Sequence, residues 1–224
     1  MLLVFPGILN ADEVEKIRRI GQTGEFVDGA ISAPALGRKG VKKNEQLRQS
    51  SKKQGMLTNL VFDALRRDET LQIAAVPQRY RVPLLSRYTP GMHYGTHVDM
   101  PVVDLVDPMR LDLSMTIFVN GPEDYDGGEL ILNTGYGEQT IKLPAGDAVM
   151  YPTNMLHRVN EVTRGERLVV ITWIQSMVRD QEKRSILYEL AQVTQWASKV
   201  APESDPYHML ANARANLVRI WATD

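Results

Sequence analysis

Three polar residues in the middle of the chain have the types and the spacing of a metal site. His97 and Asp99 lie two positions apart, and in an extended chain such residues project to the same side. His157 follows the β-forming stretch 147–151. Two histidines and one carboxylate are the ligands of the facial triad, which holds non-haem Fe(II) and leaves three coordination positions open. We therefore predict a metal site at His97, Asp99 and His157; the competing interpretation is three unrelated polar residues.

A fourth residue, Arg167, indicates what else this site would bind. It lies ten residues after His157 and begins the strongly β-forming run RLVVITWIQ. An arginine that faces inward from such a strand is costly unless an anion meets it. A guanidinium can hold a carboxylate through two parallel hydrogen bonds, so a dicarboxylate cosubstrate would supply the anion. The alternative is a salt bridge at a strand edge, to Glu166 or Asp147.

Together these residues resemble a known family, the Fe(II)/2-oxoglutarate-dependent dioxygenases. The particular resemblance is to the bacterial PKHD-type hydroxylases, in the prolyl-4-hydroxylase-like branch. It rests on residues 88–99 (YTPGMHYGTHVD), on 157–159 (HRV) and on Arg167. It extends to the N-terminal segment, the DGGEL turn at 126–130, the Gly-Asp pair at 146–147 and the tail, and so covers the whole chain.

The resemblance implies a role for each residue. His97, Asp99 and His157 would bind Fe(II). Arg167 would pair with the distal carboxylate of 2-oxoglutarate, and Tyr88 would donate a hydrogen bond to the same carboxylate. O2 would be the second cosubstrate, and L-ascorbate would rescue over-oxidised iron. No separate general base is needed, so no catalytic residue beyond the metal site is nominated.

The resemblance also implies the reaction. A C–H bond of an unidentified substrate would be hydroxylated, with release of succinate and CO2. The substrate would be a peptidyl proline or lysine, or a small molecule related to siderophores. A second hypothesis is a cupin-like protein that binds or senses a divalent metal without catalysis, and a third is a zinc hydrolase. Arg167 argues against the sensor, which has no use for a buried cation beside its metal.

Composition excludes several other classes of protein. The chain has 224 residues, of which 43% are hydrophobic and 24% charged, as in ordinary globular proteins. Its net charge of −1 gives it no general attraction to nucleic acid or to an anionic membrane. The absence of cysteine excludes disulfides, thiolate metal sites and cysteine nucleophiles. We expect a cytoplasmic protein with a small-molecule or peptide substrate, and a homodimer on base rates alone.

The elements around the site are expected to form an α+β fold with a mainly β core, a double-stranded β-helix or jelly roll. Strands are predicted at 84–88, 114–120, 129–133, 139–143, 147–151 and 167–175, with turn residues between them. Helices are predicted at 11–21, where Asn10 and Glu13 have capping-box spacing, and at about 44–66, after a loop at 26–43.

The tail is expected to be helical. Apolar residues at 186, 190, 193, 197 and 200 would form the inward face of one helix. A last helix would start at 204–206 and bury positions 209, 213, 217, 220 and 221. We therefore divide the chain into an N-terminal segment at 1–77, the catalytic β core at 78–178 and a small C-terminal helical domain at 179–224.

Two further features have simpler interpretations. His93 precedes His97 by four positions, as in a helical zinc pair, but Pro90 and Gly95 argue against a helix there. His208 is expected to be a surface or packing residue. The stretch 38–53 has seven basic residues and one acid. It would be a rim that meets an acidic substrate or nucleic acid, or a solvated loop; we favour the loop, because no aromatic residues are interleaved.

Overall fold

The computed structural model describes residues 1–32, 41–104 and 106–223. Five α-helices occur in this part of the chain: α1 (Ala11–Thr23), α2 (Lys52–Arg67), α3 (Glu69–Ala75), α4 (Gln181–Val200) and α5 (Asp205–Trp221). The strands of the N-terminal half are β1 (Leu3–Phe5), β2 (Phe26–Asp28), β3 (Lys42–Lys43), β4 (Glu45–Leu47), β5 (Pro77–Tyr80), β6 (Leu84–Tyr88), β7 (His93–His97), β8 (Val102–Val103) and β9 (Met109–Arg110). Those that follow are β10 (Leu113–Phe118), β11 (Tyr125–Gly127), β12 (Leu130–Thr134), β13 (Gly137–Ile141), β14 (Ala148–Pro152), β15 (His157–Val159), β16 (Val162–Gly165) and β17 (Arg167–Ser176).

Two antiparallel sheets face each other and form the core. The major sheet has the strand order β1-β14-β10-β17-β6-β4-β2, with β5 also paired to β17, and the minor sheet has the order β13-β12-β15-β7-β3. This arrangement confirms the predicted α+β fold with a jelly-roll core. None of the helices described is both long enough and apolar enough to cross a membrane.

Side chains alternate along the strands of the major sheet, so its two faces have different environments. Met115 and Ile117 belong to a large apolar cluster with α1, α2 and α3. Phe118 and Val169 belong to a second, smaller cluster between the sheets. Because successive side chains of a strand point to opposite faces, Arg167 shares the inner face with Val169. The strand pattern therefore aims the arginine at the space between the sheets.

Most of the predicted elements are confirmed. The strand at 84–88 has the predicted bounds, and the other five predicted strands lie within two residues of theirs. Helix α1 begins at the predicted capping box, in which Asn10 accepts from the backbone N–H of Glu13 and Glu13 accepts from that of Asn10. Both C-terminal helices are present, with Ser204 as the cap of the last one.

The predictions for residues 26–66 are wrong in part. The predicted loop contains β2, a short 3-10 turn at Gly29–Ser32 and β3, while 33–40 lie outside the described residues. The first part of the predicted helix is the strand β4, which pairs with β2 and β6. Helix α2 begins only at Lys52, where the side chain of Ser51 caps it. These strands are too short to have a pattern of their own, and long-range pairing decides them.

The predicted inward faces of the two C-terminal helices are also wrong. In α4 the residues that pack inward are Arg184, Leu187 and Ala191, and Ala197 is the only member of the predicted stripe that is buried. Helix α5 has no buried residue, and its Met209 and Ile220 are exposed. Each helix packs mainly on the other, and α4 also packs on α3. Helical periodicity finds apolar stripes, but it does not decide which of two overlapping stripes meets the core.

The turn before β12 provides a test of the fold that positions Arg167. Gly127 has a φ of +72°, and a Cβ added there would lie 2.0 Å from the carbonyl oxygen of Glu161. We expect Gly127→Ala to lower the free energy of unfolding by more than about 2 kcal/mol, from left-handed strain together with this clash. Urea denaturation followed by circular dichroism measures the change.

A matched substitution controls for the loss of glycine flexibility. Gly135 lies in the β12–β13 turn, and a Cβ there meets nothing within 4 Å. Gly135→Ala should change the free energy of unfolding by less than about 0.5 kcal/mol. Equal effects of the two substitutions would show that neither the left-handed conformation of Gly127 nor its close approach to Glu161 matters for stability.

Candidate active site

The structure brings the three predicted metal ligands together. His97 ends β7, Asp99 follows it by two residues, and His157 begins β15 directly opposite His97 in the antiparallel register. The Nε2 atoms of His97 and His157 lie 3.9 and 3.8 Å from Oδ1 of Asp99. One ligand atom from each of the three residues lies within 4.8 Å of the others. Both histidines are buried, so the cluster is a formed site rather than a chance group of surface residues.

A bulge in β7 shapes this cluster. His157 pairs with His97 and Val159 pairs with Tyr94, so β7 has one more residue between the two pairs than β15 has. Such a bulge changes the alternation of side chains, and it lets Tyr94 and His97 lie on the same side. Their rings stack with centroids 3.6 Å apart. Tyr94 therefore supports the imidazole plane of one ligand.

Hydrogen bonds define which ring nitrogen of each histidine is free to bind a metal. Nδ1 of His97 lies 2.8 Å from the carbonyl oxygen of Gly95, and Nδ1 of His157 lies 2.9 Å from that of Met155. A carbonyl oxygen only accepts, so each Nδ1 carries the proton and each Nε2 presents its lone pair to the site. Burial lowers the pKa of His97 below its ordinary value, with a smaller effect from neighbouring His157. His97 is therefore neutral at pH 7, as a ligand must be.

The major sheet holds the third ligand in place. Ser114 on β10 and Trp173 on β17 are direct cross-strand partners. The Ser114 hydroxyl donates to Oδ2 of Asp99, and Nε1 of Trp173 donates to the same oxygen at 2.9 Å. Only Oδ1 is left to face the two histidines. Asp99 is thus arranged to donate one oxygen to a metal, which keeps the remaining positions open.

Arg167 lies beside this cluster as a buried cation without a counter-charge. Its side chain is 1% exposed, and its Nε and Nη1 atoms have no hydrogen-bond partner among the described residues. The guanidinium carbon lies 5.1 Å from the ring centroid of Tyr88 and 5.7 Å from that of Phe118. The alternative interpretation, a salt bridge to Glu166 or Asp147, is wrong in the described structure. Asp147 instead accepts from the backbone of Gly7.

Two tyrosines add hydrogen-bond donors to the same place. Tyr88 lies opposite Arg167 in the register of β6 and β17. Among the described residues, its hydroxyl and that of Tyr125 are buried without a partner at hydrogen-bonding geometry, although Asn44 lies near the first and Arg167 near the second. Burial raises the pKa of both phenols, so both remain protonated donors. Sequence reasoning missed Tyr125, although it directly precedes the DGGEL turn that contributed to the resemblance.

The unpaired hydrogen-bond donors of Arg167, Tyr88 and Tyr125 show whether the site fits the expected cosubstrate. The triad, Arg167 and Tyr88 line one cavity of about 970 Å³. Gly128 borders the arginine so closely that a Cβ there would lie 3.0 Å from Cδ of Arg167. A buried guanidinium and two phenols are all donors, and together they match one carboxylate. The residues present therefore fit a metal ion with a dicarboxylate such as 2-oxoglutarate beside it.

The other two histidines lie outside the cluster. His93 is on strand β7, which excludes a helical zinc pair with His97. His208 lies on α5, where its Nε2 atom is 3.6 Å from the exposed carboxylate of Glu203, as expected for a surface residue.

Comparisons with known proteins agree with this geometry. A sequence model of the 2OG-Fe(II) oxygenase superfamily matches residues 83–175. A PKHD-type hydroxylase of Thioalkalivibrio sulfidiphilus is 45% identical over 223 residues, which cover 99% of each chain. A prolyl-4-hydroxylase of Pseudomonas putida has a similar fold, with a TM-score of 0.55, 19% identity and coverage of 78% of this chain and 92% of that one. A prolyl hydroxylase of Trichoplax adhaerens, solved with a peptide of hypoxia inducible factor, has a TM-score of 0.58 at 13% identity, over 83% and 86%.

The contacts of Asp99 predict how metal affinity depends on the major sheet. Replacing both donors, in Ser114→Ala with Trp173→Phe, should weaken metal binding by about 10- to 100-fold, because the carboxylate loses its orientation. Anaerobic titration with Mn(II), with free ion followed by electron paramagnetic resonance, measures the affinity. Trp196→Phe on the exposed side of α4 is the control and should leave the affinity unchanged. Unchanged affinity in the double variant would rule out the orienting role.

Proposed function

The chain belongs to the PKHD-type hydroxylases of the 2OG-Fe(II) oxygenase superfamily, and from this premise we propose that His97, Asp99 and His157 bind its Fe(II) and Arg167 its 2-oxoglutarate. The protein is thus an Fe(II)- and 2-oxoglutarate-dependent hydroxylase. The observation that carries the assignment of residues is the buried Arg167, which lines the same cavity as the triad and whose Nε and Nη1 atoms lack a hydrogen-bond partner among the described residues.

Each residue has a separate task in this reaction. Bound Fe(II) would supply the redox chemistry by which O2 oxidises 2-oxoglutarate to succinate and CO2, with one oxygen atom entering succinate and the other entering a C–H bond of the substrate. His97 and His157 bind through Nε2, and Asp99 binds through Oδ1 because Oδ2 is held by Ser114 and Trp173. Three protein ligands leave three positions of an octahedron for the cosubstrates.

Arg167 orients the cosubstrate from its far end. Its guanidinium would bind the distal carboxylate, and the hydroxyls of Tyr88 and Tyr125 would donate to the same group. Because all three are buried, the carboxylate binds away from water, where charge-assisted hydrogen bonds are strong. The aromatic rings around it exclude solvent from the reaction.

The substrate and the cellular setting are proposals as well. We propose that the substrate is a peptidyl proline or lysine, or a small molecule related to siderophores, and that L-ascorbate maintains the reduced iron. We propose a cytoplasmic location and the homodimer of the base-rate expectation, with neither nucleic acid nor membrane as a partner. We propose 78–178 as the catalytic unit, with 1–77 and 179–224 packed on it; the family match at 83–175 supports this division.

The non-catalytic metal sensor and the zinc hydrolase are less well supported. Neither has a use for an anion site beside the metal, whereas a dicarboxylate cosubstrate requires one. Relatives that share the whole length of this chain are hydroxylases by name.

Turnover of 2-oxoglutarate tests the proposal directly. Purified protein with Fe(II), ascorbate and air should form succinate, and His97→Ala should form none. Arg167→Met should weaken 2-oxoglutarate binding by about 100-fold or more, because it removes one partner of a buried ion pair. The ligand-free variant should unfold at no lower temperature than the wild type, since an uncompensated buried charge is lost. The control is Arg164→Met, which removes a surface arginine paired with Asp126.

These measurements distinguish the three functions. Metal binding without 2-oxoglutarate binding would support the sensor, and zinc-dependent hydrolysis without O2 would support the third hypothesis. Normal 2-oxoglutarate affinity in Arg167→Met would remove the assignment of this residue while leaving the enzyme class in place.

The two tyrosines allow a finer test. Tyr88→Phe and Tyr125→Phe each remove one hydroxyl and should each weaken 2-oxoglutarate binding by about 10-fold, as for a hydrogen bond to a charged group. Anaerobic titration of the Fe(II) protein, followed by its visible charge-transfer absorption, measures the affinity. Tyr207→Phe on α5 is the control. If Tyr88→Phe weakens 2-oxoglutarate binding and Tyr125→Phe does not, Tyr125 is a packing residue and does not contact the cosubstrate.

A further inference from the structure

Lys42 is a second cation near the triad, and it lines the same cavity as Arg167. It lies on β3, the edge strand of the minor sheet, directly opposite Tyr94 on β7. Its ammonium group lies 4.8 Å from the ring centroid of Tyr94, the ring that stacks on His97. Lys42 therefore contacts Tyr94, which packs against the predicted ligand His97. Lys42 belongs to the minor sheet, whereas Arg167 belongs to the major sheet.

Lys42 forms no ion pair with any described residue, although Asp99 and Asp28 lie near enough to attract it. Its Nζ atom donates to the hydroxyl of Ser32 at 2.7 Å and forms no ion pair. Asp28 is near, but its carboxylate accepts from the backbone N–H of Ala30. Burial lowers the pKa of Lys42 to about 8, despite the opposing attraction of Asp99 and Asp28. The side chain is therefore partly buried and hydrogen-bonded to a hydroxyl rather than to a carboxylate, so an anion in the cavity would add the ion pair that it does not have in the described structure.

A second unpaired cation lines the same cavity. Arg81 is partly buried and forms no ion pair in the described structure, and burial lowers its pKa. Asp104, the acid that acts on it, already accepts from the backbone N–H groups of Val106 and Asp107. Two other lining arginines differ from Arg81 and from Arg167, because each forms an ion pair. Arg48 pairs with Glu25, and Arg79 pairs with Asp107.

Exposed apolar side chains contribute to the lining of the cavity, beside polar and charged ones. Ile31, Val82, Val98 and Met100 line it and are 74%, 45%, 47% and 46% exposed. Trp173 adds an aromatic wall deeper in the cavity. A ligand that covers these side chains would gain hydrophobic contact in addition to the charge of Lys42.

We propose that the outer part of this cavity binds a small-molecule substrate that combines an apolar or aromatic body with a carboxylate, and that Lys42 recognises the carboxylate. This inference rests on the proposed function, because it places the substrate beside the metal that would hydroxylate it. Arg81 lines the cavity as a second cation for the same charge. A peptidyl lysine fits less well, since its ammonium group would meet these cations. The basic stretch 38–53 thus contributes to the active site at Lys42, and the preference for a purely solvated loop does not apply to this residue.

A pair of probes that differ in one charge tests the proposal. Protein loaded with Mn(II) and saturating 2-oxoglutarate is titrated with benzoate or with benzamide. Broadening of the probe's proton resonances by the bound Mn(II) reports binding close to the metal. We expect benzoate to bind about 10-fold more tightly than benzamide, in line with one charge-assisted contact.

Three variants separate recognition by Lys42 from a general effect of charge or of folding. Lys42→Met should abolish the preference for benzoate, and Lys42→Arg should retain much of it. Lys43→Met removes the same charge at the adjacent, exposed position and should keep the preference. Thermal unfolding of each variant checks that the fold is retained.

Each result has a defined meaning. Equal binding of the two probes by the wild type, or no broadening of benzoate, would overturn the proposal. So would a loss of 2-oxoglutarate affinity in Lys42→Met as large as the loss of benzoate affinity, because Lys42 would then serve the cosubstrate. Failure of the wild type to bind 2-oxoglutarate at all would instead overturn the proposed function, and it is measured before any probe is added.

Discussion

The guanidinium of Arg167 lies between the two sheets, where two of its nitrogen atoms have no hydrogen-bond partner among the described residues. Several features of the fold hold it in this position. Strand β17 lies between β10 and β6, so the arginine belongs to an interior strand that is hydrogen-bonded to neighbours on both sides. Gly128 leaves room for its side chain, and Tyr88 faces it across the register. An unpaired buried charge lowers the free energy of unfolding of the ligand-free protein. A carboxylate that pairs with this charge removes the destabilisation, and the free energy gained contributes to its binding affinity.

The site is formed where the two sheets meet. The minor sheet contributes both histidines, and the major sheet contributes Arg167 together with the two donors that hold Asp99. Asp99 itself lies in the connection after β7, so its carboxylate is a link between the sheets. The relative position of the sheets therefore sets the geometry of the metal ligands, and the packing of the core between them is part of the active site.

Arg167 and Lys42 lie at different places in the cavity, which is consistent with the two carboxylate sites that we propose. Arg167 lies at the inner end among aromatic side chains, and Lys42 lies by Tyr94 on the edge strand of the minor sheet. Between them is the triad, whose bound metal would add further positive charge. A cosubstrate and an anionic substrate could thus be held at the same time by different cations, each from a different sheet.

The sequence alone predicted most of the β core, the residues that cluster at the candidate metal site and the inward-facing Arg167, because these depend on local spacing and on alternation within single strands. The capping box of α1 was likewise readable, since Asn10 and Glu13 interact within one turn. Only the tertiary structure decided the strands before α2, the bulge that turns Tyr94 towards His97, and the exposed faces of α4 and α5. It also revealed Tyr125 and Lys42. Their roles arise from pairing and packing between segments distant in the chain, and no local pattern encodes which distant groups will meet.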